Sequence, residues 1–451
     1  MARADSKVFP DRSSPDRISP ARKEAFAILL ALERGRGHSD DLLRARPVSR
    51  LSPQDKNLAT ALVLGVLRWQ IALDARVRPL LKRPGAKLDA EVLVALRMGA
   101  FQLLMLDRVP AHAAIDESVE LVREAGHKFA SGMVNAVLRR LAVAGGVLAE
   151  AREAYPAWLV ERWIGFFGAE TAQAICAHGV AEPGPHARVA DAATEEELAR
   201  DGVLLGLGGF LTASRVVRSG DVVPTAAFRE GRVRIQDEGS QLVAEIAGKG
   251  AKVLDACAAP GGKTLILAER NPAARVVACE VNAARFGALR KRLAPLGERV
   301  ECREIDAALI AETQAFDLVL ADVPCSGTGT LGRNPEIRHK LTREEFARQA
   351  ERQKAILTAA LRAAKSGARV VYSTCSLEPE EDERVVEAVL AENPRVRVGS
   401  LAARIERMRV DGIVTAEGAE KLARCVTPEG YLRLFPGVFG TDGFFIALLQ
   451  V

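Results

Sequence analysis

The sequence is poor in cysteine and has no cysteine pair at metal-binding spacing. Its seven cysteines are scattered over 451 residues, and none of them forms a C-x-x-C motif. Disulfide-rich secreted domains and structural zinc sites need closely spaced cysteines. We therefore expect neither a disulfide framework nor a metal site, and we expect a cytoplasmic protein.

Long hydrophobic runs are also missing. The best candidate, residues 93–106, includes Arg97 and is shorter than the roughly 18 apolar residues that a membrane-spanning helix needs. Residues 1–20 are polar and lack the apolar core of a secretory signal peptide. We therefore expect no membrane association and no secretion.

Charge is distributed unevenly along the chain. Residues 1–145 contain 24 Lys and Arg residues against 16 Asp and Glu residues, whereas the rest contains 39 against 42. A basic first third suggests contact with a polyanion such as RNA. An ordinary solvated basic face explains the same counts equally well, so charge alone leaves both readings open.

The pattern of residues predicts four parts. Residues 1–20, with three prolines and four serines, predict a disordered arm. Apolar residues at helical spacing predict an all-α domain at 21–145. Mixed patterns at 147–235 predict a small α+β connector. Residues 236–451 alternate between strand-like and helix-like segments, which predicts a parallel, doubly wound α/β sheet.

Within these parts, particular segments are predicted as helices and strands. Ser52 followed by Pro53 predicts the start of a helix. In the connector, strands are expected at 187–190 and 214–217. In the last part, strands are expected at 252–255, 274–280, 300–306, 317–321 and 369–372, with a terminal hairpin from 431–435 and 443–449.

The loop at residues 255–264 follows the first predicted strand of the α/β part and enters a helix. Its adjacent glycines, Gly261 and Gly262, permit close approach of a ligand, and the helix N-terminus offers free N–H groups to an anion such as a carboxylate. The loop is not a Walker A motif, because Cys257 stands where that motif needs glycine. We expect it to bind a ligand.

Acidic residues end the next two predicted strands. Glu280 is placed to accept hydrogen bonds from ribose hydroxyls, and Asp306 to accept one from an adenine amino group. A pocket for a nucleoside with a carboxylate-bearing tail has the shape of S-adenosylmethionine, which is therefore the predicted cofactor.

Two cysteines and one acid follow the last two strands in loops rich in Pro, Ser and Gly. They are Asp322, Cys325 and Cys375. Carbon 5 of a pyrimidine becomes nucleophilic only after a thiolate adds at C6, and ring protonation by an acid such as Asp322 helps that addition. A second base must then remove the C5 proton. Two thiols and an acid supply these groups.

The catalytic part resembles the RNA (cytosine-5) methyltransferases, whose S-adenosylmethionine domain is Rossmann-like. The helical part resembles the NusB-like RNA-binding module, and the pairing is similar to the bacterial 16S rRNA methyltransferases of the Sun/Fmu type. The matching motifs are Gln236 to Gln241, Asp255 to Thr264, Asp322 to Gly329, Asn334 to Ile337, Ser373 to Glu381 and Asp442 to Phe445.

The resemblance implies that Cys375 is the nucleophile and that Cys325 promotes product release, with Asp322 beside them. It implies an RNA substrate, expected to be 16S rRNA, and no metal; we expect a monomer. The residues implied to line the cofactor site are Cys257, Ala258, Ala259, Pro260, Gly261, Gly262, Lys263, Glu280, Asp306 and Asp322.

Two other functions stay open from sequence alone. The same chemistry could act on tRNA, and the N-terminal module is the argument for rRNA. The chain could also be a non-catalytic RNA-binding assembly factor. Its intact Asp322, Cys325 and Cys375 argue against that function, since a retired site has no reason to keep all three.

Overall fold

The computed structural model of the protein describes residues 18–145 and 150–451. The chain divides into two compact units, one reaching Arg162 and including Asn334–Glu336, the other made of Trp163–Arg333 and Ile337–Val451. Residues 1–17, which make up most of the predicted arm, lie outside the described residues, as do residues 146–149.

The first unit is helical, as predicted, and its apolar helix faces pack into one core. Ser52 caps the long central helix as expected, because its Oγ accepts a hydrogen bond from the backbone N of Asp55 at 3.1 Å. A further helix, α8 (Ala157–Phe167), contains the boundary between the units. The preceding helices are α1 (Pro20–Glu33), α2 (Ser39–Leu43), α3 (Arg46–Ser49), α4 (Pro53–Val77), α5 (Ala90–Met105), α6 (Ala111–Glu124) and α7 (Ser131–Ala144).

Helix α4 and the turn after it, Pro53–Leu80, are long and apolar enough to cross a membrane by length and composition alone. However, 56% of the most apolar 18-residue stretch of this segment is buried inside the protein. Leu62, Val63 and Leu73 are completely buried in the core of the first unit. Its apolar residues therefore serve packing. The sequence indicated residues 93–106 as the best candidate for a membrane-spanning helix. That interpretation was wrong, because the apolar helical segment Pro53–Leu80 has 28 residues, whereas α5, which contains most of residues 93–106, has 16.

The connector is an antiparallel sheet of four strands in the order β2-β3-β1-β4. Two of these strands, β1 and β3, were predicted. Strands β2 and β4 were missed, because β2 is a half-exposed edge strand and β4 has only three residues. The elements are α9 (Ala169–Val180), β1 (His186–Val189), α10 (Ala192–Arg200), β2 (Leu204–Leu207), β3 (Ser214–Ser219), α11 (Ala226–Arg229) and β4 (Val233–Ile235).

The main sheet of the second unit has eight strands within residues 150–451, and seven follow the order β10-β12-β9-β8-β5-β6-β7. Strands β9, β8, β5, β6 and β7 are mutually parallel. The elements are α12 (Glu238–Ala247), β5 (Lys252–Asp255), α13 (Gly262–Arg270), β6 (Arg275–Glu280), α14 (Ala283–Leu293), β7 (Val300–Glu304), β8 (Phe316–Asp322), α15 (Arg343–Ala363), β9 (Ala364–Thr374), α16 (Glu383–Glu392), β10 (Arg397–Val398), α17 (Leu401–Val410), α18 (Ala416–Ala423), β11 (Leu432–Leu434) and β12 (Phe444–Gln450).

The predicted terminal hairpin is present, because β11 pairs antiparallel with β12. Strand β12 also pairs antiparallel with β9 along six residue pairs, from Phe445–Thr374 to Gln450–Arg369. The predicted α/β fold, a Rossmann-like sheet preceded by a helical domain and a small α+β connector, is therefore confirmed.

Candidate active site

The two cysteine-bearing loops meet at one edge of the sheet. Strands β8 and β9 are parallel neighbours, with Asp322 opposite Ser373 in the register, so their carboxyl ends lie side by side. Cys375 directly follows β9, and Cys325 comes three residues after the end of β8. Their sulfur atoms are 3.2 Å apart, within hydrogen-bonding distance.

The carboxylate of Asp322 is held between two partners. Its Oδ2 lies 2.7 Å from Nζ of Lys263, and its Oδ1 accepts a hydrogen bond from Oγ of Ser373 at 2.7 Å. Burial lowers the pKa of Lys263, but the charge of Asp322, the hydrogen bond with Asp322 and the nearby Cys375 and Asp255 together outweigh burial, so the net pKa is raised. Lys263 therefore stays charged and fixes the carboxylate.

The loop after β5 turns sharply into α13. Gly261 has a φ of +100°, in the left-handed region that favours glycine, and α13 begins at Gly262. Asp255, the last residue of β5, is almost fully buried and accepts a hydrogen bond from Oγ1 of Thr264 at 2.7 Å. Burial raises the pKa of Asp255 to about 7. Burial also raises the pKa of Cys257 well above its ordinary value.

A cavity of about 180 Å³ lies at the carboxyl ends of these strands. The predicted acids line it: Glu280 is 6% exposed and accepts from the backbone N of Asn282 at 2.8 Å, and Asp306 accepts from the backbone N of Ala308 at 3.0 Å. The lining residues are Ala256, Cys257, Ala259, Glu280, Val281, Arg285, Ile305, Asp306, Ala307, Asp322, Val323, Pro324, Cys325, Arg352, Ile356 and Cys375.

The structure thus brings most of the predicted site residues to one cavity, including all three predicted catalytic residues. Five of the predicted cofactor residues do not line it. Lys263 contacts the cavity's Asp322 instead, and the others form the turn into α13. These five are Ala258, Pro260, Gly261, Gly262 and Lys263.

Several lining residues were not predicted from the sequence. Val281 directly follows Glu280 and is 45% exposed, so its place after a strand-end acid was a usable signal. Arg285, on α14, donates a hydrogen bond to the carbonyl of Ala259 at 2.9 Å. Arg352 comes from the middle of α15, and nothing in its local sequence marks it as a site residue.

The chain matches two family descriptions, one in each half. Residues 247–450 match the family described as 16S rRNA methyltransferase RsmB/F. Residues 19–143 match the NusB family. The first match covers the strands and loops that form the cavity, and the second covers the helical first unit.

Similar proteins extend over nearly the whole chain. The chain is 33% identical to the probable ribosomal RNA small subunit methyltransferase B of Bacillus subtilis (strain 168), over 95% of this chain and 98% of that protein. It is also 33% identical to the ribosomal RNA small subunit methyltransferase B of Pseudomonas putida, with the same two coverages.

Solved structures share the fold. The crystal structure of PH0851 matches with a TM-score of 0.78 at 23% identity, over 96% of this chain and 99% of that one. A methyltransferase homolog protein from Pyrococcus horikoshii matches with a TM-score of 0.53 at 26% identity, over 66% of this chain and 95% of that one. The crystal structure of NSun6 from Pyrococcus horikoshii with SFG matches with a TM-score of 0.54 at 19% identity, over 66% of this chain and 99% of that one.

Proposed function

The chain belongs to the 16S rRNA methyltransferase RsmB/F family, and on this premise we propose that it methylates C5 of a cytosine in 16S rRNA. S-adenosylmethionine is the proposed methyl donor. The observation that carries the proposal is the pair of sulfur atoms, Cys325 and Cys375, 3.2 Å apart at a cavity that Asp322 also lines. Methylation at C5 of a cytosine calls for a thiol nucleophile at C6 and a base that removes the C5 proton, whereas an ordinary RNA-binding surface has no use for two adjacent thiols.

In the proposed reaction, Cys375 gives its proton to water and adds as a thiolate to C6 of the cytosine. The electrons of the C5–C6 double bond would then form the bond from C5 to the methyl group, while the bond between that methyl group and the sulfonium sulfur of the donor breaks and leaves its electron pair on that sulfur. The charged pair of Asp322 and Lys263 at the cavity holds the pyrimidine ring and stabilises charge that develops on it during addition. The ring must leave its stack to reach the thiol.

Release requires removal of the C5 proton and then loss of the Cys375 sulfur from C6. We assign the proton removal to Cys325. Its hydrogen bond with Cys375, followed by burial, raises the pKa of Cys325 well above its ordinary value, so Cys325 remains a thiol before addition. Once Cys375 is bonded to carbon, its sulfur carries no charge, and the principal cause of the raised pKa of Cys325 is lost. Cys325 then gives its own proton to water at the cavity and, as a thiolate, takes the C5 proton. The C5–H electrons re-form the C5–C6 double bond, and the Cys375 sulfur leaves C6 with its electron pair.

The residues at the cavity fit S-adenosylmethionine by their chemistry. Two carboxylates, Glu280 and Asp306, lie beside apolar side chains of Val281, Ile305 and Ile356, a combination that suits a ribose and a flat base. The cofactor supplies an electrophilic methyl group when bound. The turn at Gly261 and Gly262 and the N-terminus of α13 would hold its carboxylate.

RNA is the proposed partner of the helical domain at residues 21–145. Basic residues outnumber acidic ones in this part of the chain but not in the rest, and this part matches the NusB family. The proposed connector (residues 147–235) and catalytic domain (residues 236–451) complete a monomeric, cytoplasmic enzyme.

The decisive experiment replaces Cys325 with alanine. We expect Cys325→Ala to form a covalent complex with RNA through Cys375 and to accumulate it, because addition proceeds while release does not. The complex is measured by denaturing gel and located by mass spectrometry. Cys425→Ala, which changes a cysteine that does not line the cavity, is the matched control and should show wild-type turnover.

Two results would contradict the proposal. If Cys325→Ala forms no adduct and the unmodified protein incorporates no methyl group into RNA, the chain is not this enzyme but an RNA-binding factor. If mapping of 5-methylcytosine in cells without the gene shows loss of a tRNA mark and intact rRNA marks, the substrate is tRNA.

A further inference from the structure

A single carboxylate joins the two cysteine-bearing loops. Ser326 directly follows Cys325, and Ser376 directly follows Cys375. Both serine hydroxyls donate hydrogen bonds to the same atom, Oε2 of Glu381. The backbone N of Ser326 also donates to Oε1 of Glu381 at 2.9 Å. The side chain of Glu381 thus binds the residue next to each thiol.

Glu381 is itself held rigidly. It is completely buried, and Oη of Tyr372, in β9, donates a hydrogen bond to its backbone carbonyl at 2.5 Å. Nε2 of Gln353, in α15, donates to the carbonyl of Pro324 at 2.9 Å and lies 3.4 Å from Oε1 of Glu381. The carboxylate therefore has fixed neighbours on both loops and on the helix behind them.

A buried carboxyl group is an unfavourable choice for stability alone. Burial raises the pKa of Glu381, against the serine hydrogen bonds that lower it, so the protein bears a desolvation cost at this position. Buried polar groups can fix one arrangement of their surroundings at the expense of stability. At Glu381, the arrangement that is fixed is the relative position of two loops.

We propose that Glu381 is a positioning residue that sets the distance between the sulfur atoms of Cys325 and Cys375. Through that distance it couples thiol addition to product release. The second part rests on the proposed function above. Each serine is one residue from a thiol, so movement of either loop away from Glu381 carries the sulfur with it. Misplacement of a reacting group by about 1 Å can lower a rate about a hundredfold.

The distance can be tested without any methylation. Diamide oxidises two neighbouring thiols to a disulfide and takes up the two electrons and two protons itself. We expect the rate of the Cys325–Cys375 disulfide, measured by mass spectrometry, to fall about tenfold or more in Glu381→Ala. Glu381→Gln, which retains one acceptor, should give an intermediate rate.

Two further variants keep this test interpretable. Glu380→Gln changes the adjacent carboxylate, which pairs with Arg384 at the surface, and should leave the disulfide rate unchanged. If Glu381→Ala does not fold, Ser376→Ala removes one of the two loop contacts and should still slow the disulfide. A folded Glu381→Ala or Ser376→Ala with the wild-type disulfide rate would overturn the positioning role.

The coupling to catalysis has its own readout. We expect Glu381→Gln to lower kcat about tenfold or more with little change in KM for RNA, and to retain more covalent RNA adduct at steady state than the wild type. Unchanged kcat and adduct together with a slowed disulfide would overturn the coupling. Absence of any adduct in Cys325→Ala, together with no methyl incorporation by the unmodified protein, would defeat the proposed function, yet the disulfide rates would still decide the positioning role.

Discussion

Asp255 is a carboxyl group that the fold keeps away from water. It is 1% exposed, and burial raises its pKa from the ordinary 3.8 to about 7, although a hydrogen bond from Thr264 acts in the opposite direction. In the unfolded chain the same group ionises near its ordinary pKa. Folding therefore favours the protonated form between these two values, which links the stability of the second unit to pH.

This linkage predicts a pH-dependent difference between the wild type and Asp255→Asn. The contribution of the protonated carboxyl is complete below about pH 4 and is lost as the pH rises to about 7. Over that window, we expect the wild type to lose about 1.4 kcal/mol of unfolding free energy per pH unit relative to Asp255→Asn. Urea unfolding of both proteins at several pH values measures the difference.

Asp317→Asn is a control for which the change of stability with pH should have the opposite sign. The hydrogen bond from Lys365 lowers the pKa of Asp317, against a smaller effect of burial. The stability that this carboxylate contributes is present above its ordinary pKa and is lost as the pH falls. The wild type should therefore lose stability relative to Asp317→Asn on acidification below about pH 4. A difference in unfolding free energy between the wild type and Asp255→Asn that stays constant between about pH 4 and 7 would contradict the burial argument.

At the level of single residues, the sequence predicted which residues line the cavity at the strand ends better than it predicted the residues that hold them in place. Asp322, Cys325 and Cys375 could be identified because each follows a strand in a regular strand–helix alternation, and parallel strands place their ends together. Glu381 and Arg352 could not be assigned a role, because their contacts depend on the path of a loop and the rotation of a helix. No local sequence pattern encodes the path of that loop or the rotation of that helix.

Among the elements, the loops after β8 and β9 are in direct backbone contact at Gly329. Its N donates to the carbonyl of Cys375 at 2.9 Å, and its carbonyl accepts from the backbone N of Gly443 at 2.8 Å. A Cβ at this position would lie 2.5 Å from the carbonyl oxygen of Gly443 and 2.8 Å from that of Cys375. Backbone atoms on both sides leave no flexible group to yield.

Gly329→Ala is therefore expected to displace the loop that contains Cys375. Methyl transfer should fall about a hundredfold, because a shift of about 1 Å in a reacting group has that effect. The measurement is single-turnover methylation of RNA. Gly287→Ala is the matched control: its Cβ would meet nothing within 4 Å, and Gly287 lies inside α14. That change should leave activity intact and raise helix stability slightly. Equal activity of Gly329→Ala and Gly287→Ala would contradict the predicted steric clash at residue 329.

The elements themselves were predicted unevenly. The strands that alternate with helices in the second unit, such as β5 and β8, have continuous apolar runs and were recognised. The connector strands β2 and β4 were missed, because β2 has no fully buried residue and β4 has three residues. Short strands at an edge gain their structure from pairing, and the sequence alone does not show that pairing.

For the whole molecule, the basic first unit should dominate the salt dependence of RNA binding. The exposed residues Lys82, Arg83 and Lys87 lie close together in the segment before α5. Replacing all three with glutamine should reduce the slope of log K against log salt by about one to three, according to how many phosphate contacts they make. RNA binding measured over a series of salt concentrations tests this.

A matched triple change in the second unit serves as the control. Arg395, Lys421 and Arg424 are also exposed, and their replacement with glutamine removes the same total charge. We expect a smaller change in slope from this variant. Equal changes would show that net charge, and not the first unit, governs binding.

The pairing of β12 with β9 has a consequence for how the protein is made. Strand β9, which leads to Cys375, ends at Thr374, whereas its antiparallel neighbour β12 begins at Phe444. Chains fold progressively during translation, so β9 leaves the ribosome with one edge uncovered. An open edge is available to other strands until its partner arrives. The edge of the strand that leads to Cys375 is therefore covered only after residue 450 has emerged, and the site at the strand ends is completed after synthesis of β12.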